Sequence, residues 1–526
     1  MGRAASLTQP DDPMTIPRVA GILIPLFSIR SRNDAGIGDI AALGPMVDLA
    51  VAMGNRAILL LPLDETAPGM ASPYSALSLF AIDPIYIGIE RLPGVAAEGV
   101  AEVRARLSGV PLSERVSIRG ARLELVEAAF RHFEQRGEAR ERAAVEEFAE
   151  RNRRWLDDYA LFRALKERFN FVPWEEWPAE LREREPQALD AARRAMARPV
   201  ARFVYWQYLA HRQWAEARAY ANGHGVMLGG DLAFSPARDS AEVWARAELF
   251  DLERTVGAPP DAFNPKGQRW GLPAPRWERM RAGGFALLRE RVHHARELYD
   301  FLRIDHVVGL YRTFSFDADG GGDGRFSPAQ EPEQRAQGET IMRAVLDEAD
   351  GAIVVAEDLG VIPPFVRASL AALGVPGYKV MRWEKSGLST PEEAFVPPAE
   401  YPELSLATTG THDTETLAVW WEDASADERA QMLRMLGRRV DGGSAATVPF
   451  TDVHDAILAA LYAAPSRLVI LPMQDLFGWR DRINLPGTVS PSNWSWRMPV
   501  AAEEMGTSTF APRIARLRQM IAGSGR

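Results

Sequence analysis

A chain of 526 residues exceeds the usual size of one compact core, so it reads as one large barrel with insertions or as two to three domains. Its net charge of −10 argues against a nucleic-acid or anionic-membrane partner, since both select basic surfaces. The absence of cysteine excludes disulfides, thiolate zinc sites, iron–sulfur clusters and cysteine nucleophiles, and makes a reducing cytoplasm the economical compartment.

Residues 1–16 lack an apolar core of signal-peptide length, and Asp11, Asp12 and Pro13 would interrupt one, so they read as a flexible tail. The remainder, 17–526, reads as one large body interrupted by insertions. Residues 19–27 and 57–63 are continuous apolar strands around a helix over about 39–53, a parallel βαβ unit. The loop SPYS at 72–75 exposes Tyr74 among turn formers. A mainly helical insertion follows, over about 90–200. There Leu123, Val126, Phe130 and Phe133, and later Trp155, Tyr159 and Phe162, recur at helical spacing. An aromatic-rich helix over 202–220 returns the chain to the main body, and its His211 is a packing or surface residue. A strand over 226–234 carries Asp231 near its end.

Residues 257–273, GAPPDAFNPKGQRWGLP, hold too much Gly and Pro for regular structure yet carry Phe263 and Trp270. That combination marks a lid-like loop. A helix over 285–299, with His293 and His294 on its solvated side, leads into FLRIDHVVGLYR at 301–312. DADGGGDG at 317–324 lacks the spacing and terminal Glu of a calcium loop and reads as a flexible connection. Strands over 352–359, 378–383, 404–413 and 467–476 then alternate with helices.

About eight apolar strands with helices between most of them are the signature of an α/β fold, a (β/α)8 barrel. Asp231, Asp305, Glu357, Asp413 and Asp475 close strands at the same end, and in this fold those ends gather at the rim where active sites form. Arg303 and Asp305, two apart on a strand, share one face, and a neighbouring cation favours the ionised carboxylate. Such a cluster without cysteine suits either an oxygen-ligand metal site or glycosyl transfer. His306 and His412 each stand alone beside an Asp, so no metal is expected. In the glycosyl reading Asp305 attacks, and Glu357, among like charges, holds a proton as general acid and then acts as base. Asp413 is the third carboxylate, with His306 and His412 donating to sugar hydroxyls. Neither a P-loop, a dinucleotide fingerprint after the first strand nor a nucleophile elbow is present.

RIDH at 303–306, AEDLG at 356–360 and GTHD at 410–413 resemble the amylomaltase (4-α-glucanotransferase) family of the α-amylase superfamily. The resemblance extends to SPYS at 72–75, DSAEVW at 239–244, PPDAF and GQRWGLP within 259–273, and RINLPGT and NWSWR within 482–497. It implies a (β/α)8 barrel with helical insertions and no C-terminal β-sandwich. It assigns Asp305 as nucleophile, Glu357 as acid/base and Asp413 as transition-state stabiliser. Arg303, His412, Asp231, Tyr74 and Trp270, with Ser72 of SPYS, are implied at the sugar subsites, beside the His306 and Phe263 singled out above. The implied reaction moves an α-1,4-glucan segment between maltooligosaccharides through a covalent glycosyl-Asp305, without a cofactor. Three loops depart from the family: 307–326, the Ala262 before Phe263, and AFSP at 233–236. Donor length and acceptor preference depend on them. The rival readings are an α-glucan hydrolase on the same barrel, a non-catalytic glucan-binding protein and a metal-dependent barrel enzyme.

Overall fold

The computed structural model describes residues 16–260, 266–321, 323–386, 394–438, 445–507 and 509–526. The expected tail up to residue 15, Ala262 and Phe263 lie outside the described residues.

Eight short parallel strands close into a barrel. They are β1 (Val19–Leu23), β2 (Ala57–Leu59), β3 (Met227–Leu232), β4 (Phe301–Ile304), β5 (Ile353–Ala356), β6 (Gly377–Val380), β7 (Ser405–Thr408) and β8 (Leu468–Pro472). Each pairs with the next, and β8 returns to β1 with Val19 opposite Leu468. Both faces of each strand are covered, the inner by barrel side chains and the outer by helices. Ile22, Ile58, Leu228, Leu302, Val355 and Leu471 are accordingly fully buried. Gly229 and Gly230 in β3 admit the rings of Phe301 and Tyr299, which would lie 2.1 and 2.3 Å from an added Cβ.

Between β2 and β3 the chain runs through helices that include Arg115–Arg136, Arg153–Arg168 and the 27-residue Ala197–Gly223. Buried ion pairs fasten these helices to the barrel. Glu65, in the loop after β2, accepts from Tyr159 Oη at 2.6 Å and from Arg163 Nε at 2.8 Å. Arg119 and Arg122 reach Asp83 and Asp39 at 2.5 and 2.7 Å. Charges this deep persist only when paired. His211 packs among Trp155, Phe148 and His294. His294, expected on a solvated face, is buried and its Nε2 lies 2.8 Å from the Phe80 carbonyl. Successive helix positions point about 100° apart, so His294 turns towards the Trp155 and Phe80 rings, while His293 remains half-exposed.

The described parts of 257–273 correct the expectation of an irregular loop. Phe250–Ala258 and Gln268–Pro275 pair antiparallel, and Thr313–Asp317 and Arg325–Ser327 complete a four-stranded sheet. Its glycines and prolines fall at irregular points of the ladder, where bulges tolerate them. Thr313–Asp317 and Arg325–Ser327, either side of the glycine-rich stretch, pair antiparallel.

β8 ends at Pro472, earlier than its apolar run suggests, and Asp475 lies on the helix Met473–Phe477. Among the described residues after β8 only helices and loops follow. Among the same residues no helix is long and apolar enough to cross a membrane.

Candidate active site

The barrel strands deliver polar residues at their C-terminal ends, where the backbone leaves the sheet and side chains turn onto the rim. Asp231 is the penultimate residue of β3, Asp305 directly follows β4, Glu357 directly follows β5, and His412 and Asp413 lie in the loop after β7. Asp305, Glu357, His412 and Asp413 surround a cavity of about 760 Å³ together with Ser72, Tyr74, Trp270, Arg303 and His306. Thus the described residues expected at the site, Asp231 and Asp475 apart, meet around one opening. Asp231 lies beneath it, lining a small recess of about 10 Å³ with Arg303 and Tyr378.

Arg303 is the organising charge. Its buried guanidinium donates from Nη1 to Asp231 Oδ1 at 2.6 Å and to Asp305 Oδ1 at 2.9 Å. Tyr74 donates its hydroxyl to Asp231 Oδ2 at 2.7 Å and lies 3.1 Å from His412 Nε2. Burial pushes the Tyr74 phenol well above its ordinary range, with Asp231 adding to the rise, so it stays a donor. The ring stacks on His412 with centroids 5.4 Å apart. The Ser72 hydroxyl accepts the Tyr74 backbone N–H at 3.3 Å, bracing the loop that presents this ring.

Glu357 is held by backbone. The N–H of His306 donates to its Oε2 at 2.8 Å and that of Leu359 to its Oε1 at 3.2 Å. His306 adopts φ of 47°, a left-handed conformation uncommon outside glycine and frequent at functional sites. Burial pushes the Glu357 carboxyl up to about 7; Arg303 opposes the rise and Asp305 adds to it. Burial also holds the His306 imidazole down at about 4, so the ring is neutral near pH 7. Its faces and edges are framed by Trp270 at 4.7 Å and Phe234 at 5.4 Å, both edge-to-face.

Asp413 shows the opposite behaviour. Burial alone would raise its carboxyl, but the neighbouring His412 and the Asn484 side chain outweigh it and hold the group at about 2. His412 Nε2 lies 3.4 Å from Oδ2, and Asn484 Nδ2 donates to Oδ1 at 2.7 Å. His412 is correspondingly raised: burial disfavours its cation, yet Asp413 prevails. Arg482 binds the carbonyls of Asp413 and Asn484, each at 2.8 Å, fixing the two segments together.

Asp475 does not join this set. Its carboxylate is buried and accepts from the Thr409 hydroxyl at 2.6 Å and the Leu417 N–H at 2.7 Å. It is a structural brace between β7 and the helix Leu417–Asp423. Conversely, Asn484, Trp494 and the half-exposed Trp383 line the cavity without having been singled out. Asn484 and Trp494 fall in RINLPGT and NWSWR, whose neutral side chains announce no acid–base chemistry. Among the described residues no group of three or more His, Asp or Glu side chains is arranged to hold a metal ion.

A sequence model of the 4-alpha-glucanotransferase family matches residues 24–502. The chain is 34% identical to a 4-alpha-glucanotransferase of Thermus thermophilus over 504 residues, covering 92% of this chain and 95% of that protein. It is 32% identical to one of Chlamydia pneumoniae over 505 residues, covering 92% of each. The amylomaltase from Streptococcus agalactiae, solved in complex with acarbose, superposes with a TM-score of 0.82 at 27% identity, over 97% of this chain and 99% of that one. An amylomaltase from Corynebacterium glutamicum shares the fold, with a TM-score of 0.81 at 22% identity over 95% of this chain and 75% of that one.

Proposed function

The chain belongs to the 4-alpha-glucanotransferase family, and from that premise we propose that its rim carboxylates carry out a retaining glucan transfer. The enzyme transfers α-1,4-glucan segments between sugar chains; the division of labour at the rim is our reading. Asp305 is the nucleophile. Arg303 occupies Oδ1 and leaves Oδ2 for the anomeric carbon. As the new Oδ2–C1 bond forms, the glycosidic C1–O bond breaks and the leaving oxygen takes the Glu357 proton. In the second step the 4-hydroxyl of an acceptor sugar gives its proton to the Glu357 carboxylate and its oxygen displaces Asp305. Because the glycosyl-enzyme retains the energy of the broken bond, no cofactor is called for.

The observation that carries this reading is the split between two carboxyls of one cavity. Glu357 is pushed up to about 7 and can hold a proton, while Asp413 is held at about 2 and remains an anion. Environments that drive carboxyls apart in this way assign the acid and the charge stabiliser. Asp413 is suited to bind sugar hydroxyls and to stabilise the oxocarbenium-like transition state. Arg303, His306, His412, Asp231, Tyr74, Ser72 and Trp270 form the binding shell around them. That the Streptococcus agalactiae amylomaltase was solved in complex with acarbose supports an oligosaccharide ligand, and maltooligosaccharides are the donors and acceptors proposed. The absence of cysteine supports a cytoplasmic setting.

Incubation with maltotriose tests the reading. Glucose should appear together with longer oligosaccharides at nearly constant reducing-end concentration. Glucose and maltose with a stoichiometric rise in reducing ends would identify a hydrolase instead.

A further inference from the structure

Four strands from two regions distant in sequence, Phe250–Ala258 with Gln268–Pro275 and Thr313–Asp317 with Arg325–Ser327, form one sheet at the edge of the cavity. Trp270 is the ring that this sheet delivers to the site, edge-on to His306. It stands on an irregular stretch of Gln268–Pro275. The ladder pairs Gly257 with Arg269 and then Thr255 with Pro273, so residues 270–272 oppose a single residue, and Gly271 has φ of 73°. A bulge re-aims a side chain and interrupts the ladder that would hold it. Something else must fix the ring.

That support comes from the strand Thr313–Asp317 and the residues beside it. Arg269, the residue before Trp270, lies over the Phe316 ring at 4.2 Å. It also donates to the carbonyls of Asp317 at 2.9 Å and Gly320 at 3.3 Å. Phe316 is buried. Its ring lies so close to the neighbouring backbone that a Cβ at Gly257 would fall 2.9 Å from it, and one at Gly267 3.2 Å. Phe314 meets Phe316 at 5.1 Å and Phe326 at 4.8 Å. This small aromatic cluster stands apart from the main hydrophobic core.

We propose that Phe316 and Arg269 are positioning residues for Trp270. They clamp the bulge over His306 and thereby set how the glycosyl-enzyme partitions between an acceptor sugar and water. The inference rests on the retaining-transfer reading above. In both fates the same Oδ2–C1 bond breaks and Glu357 takes one proton, from a sugar hydroxyl or from water. The clamp therefore changes the choice of nucleophile and leaves the first step alone. A loosened Trp270 opens the acceptor side to water and weakens sugar stacking.

The test measures glucose release and new reducing ends from maltotriose, and fluoride release from α-maltosyl fluoride for the first step. Phe316→Ala and Arg269→Leu should raise the hydrolytic share about three- to tenfold and raise the acceptor KM, with the first step changed less than about twofold. Phe316→Tyr should restore the natural partition. Should Phe316→Ala fail to fold, Arg269→Leu, on an exposed residue, carries the test. Trp270→Ala separates the two levels of the argument. If it raises hydrolysis while the Phe316 and Arg269 variants do not, the clamp is refuted and the transfer reading stands. If it too leaves the partition unchanged, the acceptor-side role of Trp270 falls and the clamp with it. A parallel loss of the first step and of transfer, at constant partition, would reduce the pair to structural packing and refute the proposal.

Discussion

Replacing Glu357 by glutamine removes a charge that the cavity resists, so the variant and the natural chain should diverge in stability as pH rises. The carboxyl is raised from 4.5 to about 7, chiefly by burial. Below pH 4.5 it is protonated in both the folded and the unfolded chain and contributes nothing to the pH dependence. Between 4.5 and 7 the unfolded chain releases the proton first, so the folded state loses stability as pH increases. Above 7 the full cost remains, about 3 kcal/mol at 1.36 kcal/mol per pH unit. Glutamine gives up one acceptor, because its amide cannot receive both the His306 and the Leu359 N–H. That loss costs about 1 kcal/mol. The variant should therefore be slightly less stable than the natural chain near pH 4.5 and up to about 2 kcal/mol more stable near pH 8.5. Paired urea titrations followed by tryptophan fluorescence measure the difference. Asp64 and Glu242, also pushed up to about 7 by burial, occur in both proteins and cancel. Transfer should meanwhile fall about 10²- to 10⁴-fold. A stability difference that is constant across this pH range would remove the physical ground for Glu357 as the general acid.

Two further predictions concern the nucleophile and the helical excursion. Asp305→Ala should lower transfer by at least about a thousandfold, and azide with α-maltosyl fluoride should then yield β-maltosyl azide; an α-linked azide would mean that Asp305 is not the attacking group. Arg163→Met should destabilise the fold by about 3–5 kcal/mol because it leaves Glu65 buried and unpaired. Adding Glu65→Gln should recover most of that loss in a thermal melt, and an equal loss in both variants would show that the pair contributes only packing.

The barrel was legible because a parallel strand covered on both faces is written as a continuous apolar run, and Asp305 and Glu357 stand directly after such runs. Where the apolar run outlasts the strand, the reading slipped: ILPMQDL passes from β8 into a helix without a change of composition, so Asp475 was expected at the rim and is a brace. The side sheet was illegible for a different reason. Its glycines and prolines sit at bulges and mask the two-residue period, and Phe250–Ala258 finds its other partner, Thr313–Asp317, across a whole helix and barrel strand. Non-local pairing leaves no local mark. Asn484 supports Asp413 through an amide that no charge pattern could flag. The left-handed φ of His306 has no signal in its residue type.

That peptide has a mechanical consequence. His306 N–H holds Glu357 Oε2, Val307 N–H holds the Glu357 carbonyl at 3.1 Å, and Glu357 N–H holds the Ile304 carbonyl at 3.0 Å. Asp305 sits within the same three-bond lacing. The two residues are thus tied together by main chain, while the Arg303 side chain orients the Asp305 carboxylate. Any displacement of the end of β4 therefore carries the backbones of the acid and the nucleophile together.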